Sequence, residues 1–130
     1  DCINLVEVMC SNDRMVKECM LFIMKNNIKP LWEDEQNKNG SCFSYKLSSK
    51  MVVKSWKLLI YSVIGNNVSH DTNFYKCISG ISISPKKNFC ILKIWLNTCN
   101  YQNSNIINIK PLNNDHYGLV KDNCIYKKHI

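Results

Sequence analysis

Arginine is nearly missing from this chain: Arg14 is the only one among 17 basic residues. Long apolar runs are missing too. The longest, Leu58 to Ile64, is broken by Tyr61 and Ser62, far short of the ~20 residues needed to cross a bilayer, so no membrane association is expected. The chain opens Asp1-Cys2-Ile3-Asn4 without a secretory leader or an initiator Met, and we expect upstream residues to have been removed. None of the eight cysteines forms a CxxC pair, and their spacings match no common zinc module, so no structural metal site is expected. There is no GxSxG, P-loop, HExxH or GxGxxG, so the usual hydrolase, nucleotide-binding and metalloprotease machinery is absent and no cofactor is expected. His70, His116 and His129 all fall in polar segments and read as solvated surface residues. Enzymatic activity is therefore not expected.

The 130 residues suit a single domain spanning 1–130, with one core. Hydrophobic residues make up 45% of them, enough for a packed interior. The net charge is +7, and the excess lies late: residues 66–130 hold only three acids, Asp71, Asp115 and Asp122. A surplus of this kind favours a polyanionic partner through counterion release, although an AT-rich genome alone would also enrich lysine. Eight cysteines and the sequons Asn39-Gly-Ser41 and Asn67-Val-Ser69 leave a secreted, disulfide-stapled domain as one reading. The apolar settings of Cys19, Cys77, Cys90 and Cys99 favour free thiols behaving as small core hydrophobes.

The pattern along the chain predicts an α+β fold. Ile3–Met9 reads as a short helix, Cys19–Lys25 as a strand, Asn37–Gly40 as a turn and Phe43–Leu47 as a strand. Ser48 or Ser49 can cap a helix reaching Ile64, since Val52, Trp56, Leu59, Ile60 and Val63 recur on one face and Gly65 provides a stop. Trp56 belongs to its core side. Tyr75–Ser84 and Phe89–Leu96 read as a hairpin across Pro85-Lys86-Lys87-Asn88. In its second strand Cys90, Leu92, Ile94 and Leu96 take one face. Phe89, Ile91, Lys93 and Trp95 take the other, which is free to bind something. Ile106–Leu112 is expected to be the last strand.

Chemistry concentrates at Ile28-Lys-Pro-Leu-Trp-Glu-Asp-Glu-Gln-Asn-Lys-Asn-Gly40. Trp32 follows a proline and precedes three acids. An indole face beside a carboxylate suits a cationic purine: the ring stacks with a cation–π contribution of about 0.5–2 kcal/mol. The carboxylate can accept two N–H donors from a guanine edge, which adenine cannot offer. The same residues would also suit an acidic loop whose tryptophan plugs a sheet edge.

This stretch, in the form IKP-x-WED-xx-NKNG, resembles the hallmark of the translation initiation factor 4E family, closest to its 4E-homologous repressor branch. Lys54-Ser-Trp56 through Gly65 resembles the family's second helix, and Gly80 to Trp95 its central hairpin, with ILKIW in place of a strand ending in IW. The similarity covers residues 20–97. It implies a curved antiparallel sheet with one main helix, and room for a second short one, on the convex face. It also implies a non-enzymatic binder of the 7-methylguanosine 5′ cap of mRNA, a cytoplasmic or nuclear monomer serving translation initiation or its repression. Carried over by residue, Trp32 would stack on the methylated base, Glu33 would hold its N1 and N2 donors, Trp95 would pack on the N7-methyl group, and Lys86 with Lys87 would grip the phosphates.

The departures from the family are specific. No residue matches the second ring of the aromatic sandwich; Phe22, Tyr101 and Tyr117 are candidates to replace it. Asn88, Ile91 and Cys42 occupy family basic positions, so the phosphate grip would be rebuilt from Lys93 or the C-terminal lysines. The third helix of the family is missing, Asn97–Asn105 being too short and polar. A 4G-like scaffold or repressor peptide could dock on the helical face, but Lys57 replaces an apolar position there. A protein-interaction adaptor that has lost the cap remains the alternative function.

Overall fold

The computed structural model describes residues 20–24, 38–65, 68–69, 71–107, 109, 118–119 and 123–128. Five antiparallel strands form one curved sheet: β1 (Leu21–Met24), β2 (Ser41–Ser48), β3 (Ile78–Pro85), β4 (Phe89–Leu96) and β5 (Cys124–Lys128), in the order β1-β3-β4-β2-β5. Among the described residues two helices join them, α1 (Val52–Ile64) and α2 (Thr72–Cys77). The expected α+β architecture is therefore observed. The predicted helix at Ile3–Met9 lies outside the described residues.

Local sequence explains the main elements. The Ser48 hydroxyl accepts from the Lys50 amide and opens a 3-10 turn, Ser49–Met51, that runs into α1. The helix buries Val52, Ser55, Trp56, Leu58, Leu59, Ile60 and Ser62, a wider stripe than the apolar positions alone outline. Ser62 joins that stripe because its hydroxyl donates to the Leu58 carbonyl at 2.7 Å, which removes the cost of burying it. Trp56 is fully buried, as expected for a core residue.

Strand alternation then sorts the sheet. Cys90, Leu92, Ile94 and Leu96 of β4, Phe43, Tyr45 and Leu47 of β2, and Ile81 and Ile83 of β3 all enter one core with Trp56, Leu59 and Ile60. At one end of that core Phe43 touches Phe74 and Tyr126, with ring centroids 6.2 and 5.4 Å apart. Tyr101 meets Phe74 edge-on at 5.2 Å. Tyr101 is thus a core-packing residue and not a second sandwich ring.

Two sequence readings need correction. Tyr75–Ser84 is not one strand: Tyr75–Cys77 belongs to α2, and β3 starts at Ile78. The Asp71 carboxylate accepts from the amides of Asn73 and Phe74 at 2.8 and 3.3 Å. That cap drives a helix of six residues, too short for its periodicity to show. The last strand is not Ile106–Leu112. Ile106 ends a 3-10 turn, Ile107 and Ile109 are not in a strand, and residues 110–112 lie outside those described. The fifth strand is Cys124–Lys128, pairing with β2 in the register Cys42↔Lys127 and Tyr45↔Cys124. It is a polar edge strand with Ile125 68% exposed, so it lacks the greasy alternation that marks central strands.

These contacts set two expectations. Trp56→Ala should lower unfolding free energy in urea titrations by about 3–5 kcal/mol, the range for truncating a buried large aromatic. Asp71→Ala should cost about 1 kcal/mol through loss of the α2 cap.

Candidate functional site

The face of the sheet opposite the helices carries a second set of side chains, of which Cys42, Ser82, Ser84 and Trp95 are buried, Ile91 and Lys93 half-buried and Lys46 exposed, and its register defines a site. Across β4, Ile91 lies opposite Ser84 and Lys46, Lys93 opposite Ser82 and Ser44, and Trp95 opposite Gly80 and Cys42. The β3 positions are small, so they leave room above themselves. A depression of about 130 Å³ results, lined by Met20, Ser82, Ser84, Lys86, Ile91, Lys93 and Trp95.

Trp95 is held firmly. Its indole N–H donates to the Ser82 hydroxyl at 3.0 Å. Phe22 meets its ring at a centroid distance of 6.3 Å and an interplanar angle of 73°, an edge-to-face contact. Only 8% of Trp95 is exposed, so it presents a small apolar surface to the depression. Phe22, a candidate to complete the aromatic sandwich, therefore serves as a wall for Trp95. Beside it Gly80 is required: a Cβ there would stand 2.6 Å from the Ile23 carbonyl oxygen, where β1 approaches β3.

Of the residues singled out from sequence, Trp95 and Lys86 share this depression. Lys87 does not line it. Lys87 borders a second hollow of about 160 Å³ with Ser49, Val52, Pro85, Lys86, Phe89 and Cys90. Trp32 and Glu33 lie outside the described residues, as does Tyr117. Lys93, raised only as a substitute phosphate ligand, lines the depression directly. Ser82 and Ser84 alternate with Ile81 and Ile83 in the sequence, which gives them a face but no role, because their value lies in what small side chains leave open.

The anchors of the segment carrying Trp32 and Glu33 are described. It leaves β1 after Met24 and rejoins β2 at Ser41. Met24, Gly80, Trp95 and Cys42 form one row across four strands. Both anchors thus sit at the level of Trp95, three strand spacings or about 14 Å apart. The return point is tied down: the Ser41 hydroxyl donates to the Thr98 carbonyl at 2.7 Å, and the Cys99 thiol donates to the Gly40 carbonyl at 3.3 Å.

Among the described residues, charge on this side is one-signed. Lys46, Lys86 and Lys87 are exposed and Lys93 is partly so, whereas Asp71 is the only carboxylate among the described residues and is engaged at α2. The five described cysteines, Cys42, Cys77, Cys90, Cys99 and Cys124, are all free. Burial pushes the Cys90 thiol up to about 11. It does the same for Cys124, despite the opposing hydrogen bond from Tyr45. Both are thus protonated and poorly nucleophilic near neutral pH. Among the described residues, no group of three or more His, Cys, Asp or Glu could hold a metal ion. No helix among them is long and apolar enough to cross a membrane.

Comparison with known proteins supplies the family. Over 62 residues the chain is 34% identical to an initiation factor 4E homolog of Acanthamoeba polyphaga mimivirus, covering 48% of this chain and 23% of the viral protein. It is 27% identical over 75 residues to the initiation factor NCBP of Triticum aestivum, covering 58% of this chain and 31% of the plant protein. The chain thus spans less than a third of the length of these relatives. A schistosome eIF4E complexed with m7GpppA and 4E-BP superposes with a TM-score of 0.65 at 23% identity, over 78% of this chain and 57% of that one. Ascaris suum eIF4E-3 with m7G cap gives 0.57 at 20% identity, over 66% and 48%. At such identities the structural likeness establishes the fold. The model of the family described as eukaryotic initiation factor 4E matches residues 1–129, and the chain belongs to that family.

Proposed function

We propose that this chain binds the 7-methylguanosine cap of mRNA, without turnover, in the service of translation initiation or its repression in the cytoplasm. The observation that carries this reading is the depression where Trp95, Lys86 and Lys93 converge on the sheet face opposite the helices. Family membership supports it, as does the fold shared with cap-complexed structures. The row joining Met24 to Cys42 supports it further, because both anchors of the Trp32 segment stand at the level of Trp95, one strand away on the Cys42 side and two on the Met24 side.

Each residue has a distinct task. Trp32 stacks on the methylated base, whose positive charge strengthens the contact with the electron-rich indole face. Glu33 accepts the guanine N1 and N2 protons as a charge-assisted pair, which gives preference over adenine. Trp95 packs its small exposed edge against the methyl group. Lys86 and Lys93 draw the phosphates into the depression, with Lys87 adding charge from the adjoining hollow. The serines at 82 and 84 keep the floor low enough for the ligand to sit.

A repressor or scaffold peptide would dock on the helical side, as the 4E-BP complex of the schistosome protein suggests by analogy. Trp56 is unavailable to it, being fully buried. Such a peptide would meet the partly buried Val53, Lys57 and Tyr61, where the Lys57 ammonium lies 5.7 Å from the Tyr61 ring centroid.

Titration with m7GpppG should quench the intrinsic tryptophan fluorescence, because stacking requires an occupied indole; an unchanged signal would leave the adaptor role. Glu33→Ala should weaken binding by about 1–3 kcal/mol and abolish the preference for guanine. Retention of this variant on cap resin at the wild-type level would remove Glu33 from the site. Lys86→Ala and Lys93→Ala should each lower the slope of log affinity against log salt, by up to about 0.7.

A further inference from the structure

The tip of the β3–β4 hairpin carries features that cap recognition leaves unused. Phe89 is half-buried, and the exposed Lys46 ammonium lies over its ring, 4.5 Å from the centroid. Phe89 also walls the second hollow together with Ser49, Lys86 and Lys87. Lys86 lines both hollows, so the two adjoin at that residue. The hairpin turn is closed by the Lys86 amide, which donates to the Phe89 carbonyl at 2.7 Å. The Lys46 ammonium thus lies over the ring, Lys86 and Lys87 line the hollow beside it, and no carboxylate among the described residues is left to neutralise them.

A partly exposed ring with one ammonium over it and two more in the adjoining hollow is a poor surface for another protein core and a good one for a single-stranded polynucleotide. The ring stacks on a base of any identity when the Lys46 ammonium leaves it for a phosphate, and the neighbouring lysines meet the adjoining phosphates. We propose that the hairpin tip is a second RNA site, in which a nucleotide downstream of the cap stacks on Phe89 while Lys46 and Lys87 hold the flanking phosphates. This rests on the cap-binding reading for its direction: the strand leaves the first depression past Lys86 and continues over the tip. Selectivity there is for an unpaired strand and not for a base sequence, since nothing at the tip is arranged to read a base edge.

Fluorescence anisotropy with three probes tests this: m7GpppG by competition, a labelled capped RNA of about eight nucleotides, and the same RNA uncapped. The wild-type protein should bind the capped oligonucleotide more tightly than m7GpppG, and the uncapped one measurably at low salt. Phe89→Leu should remove about tenfold of the affinity for both oligonucleotides, and Phe89→Trp should restore it. Lys46→Gln should lower the salt slope for the oligonucleotides by about 0.7. Neither Phe89→Leu nor Lys46→Gln should alter m7GpppG binding. Equal affinity for m7GpppG and the capped oligonucleotide would overturn the second site, as would oligonucleotide binding indifferent to both substitutions. Loss of m7GpppG binding in the wild type, with uncapped RNA still sensitive to Phe89→Leu, would retain the hairpin site and reject the cap reading. Should Phe89→Leu fail to fold by circular dichroism, the exposed Lys46→Gln decides through its salt slope.

Discussion

Strand β4 is bonded on both sides, to β3 and β2, and its strict alternation governs everything built around it. Cys90, Leu92, Ile94 and Leu96 face the helices, while Phe89, Ile91, Lys93 and Trp95 face the opposite side. A register slip of one residue would drive Lys93 into the core and expose Leu92 and Ile94, exchanging both faces at once. The hydrophobic core and the candidate site are therefore two consequences of one constraint. Burial of the first holds the second in place.

That constraint also explains the division of labour among neighbours. Strand β3 supplies Ile81 and Ile83 to the core but only Gly80, Ser82 and Ser84 to the opposite face. Small residues there allow the depression, and one of them fixes the Trp95 indole. Large side chains flank this space and do not fill it: Phe22 on one side, Lys86 and Lys93 on another. Positive charge gathers on the same face because the lysines of β2, β4 and the hairpin turn project away from the apolar core.

Much of this was legible beforehand. The 3.6-residue pattern ending at Gly65 marked α1, and the period-two pattern at Phe89–Leu96 marked β4, because both elements are half-buried and long enough to display their periods. Helix α2 was hidden, since six residues cannot show periodicity and its cap is a single aspartate. Strand β5 was hidden because an edge strand with three exposed residues has no apolar pattern to read.

Sequence alone determined the α+β class, the partition of β4, the core role of Trp56 and the concentration of lysine around the hairpin, because local pattern and composition act over a few residues at a time. Only tertiary structure decided that Lys93 joins Lys86 at the Trp95 depression, that Lys87 belongs to the adjoining hollow, and that Phe22 walls the indole. These are contacts between strands far apart in the chain. Their partners are chosen by sheet order and register, which no window along the chain contains.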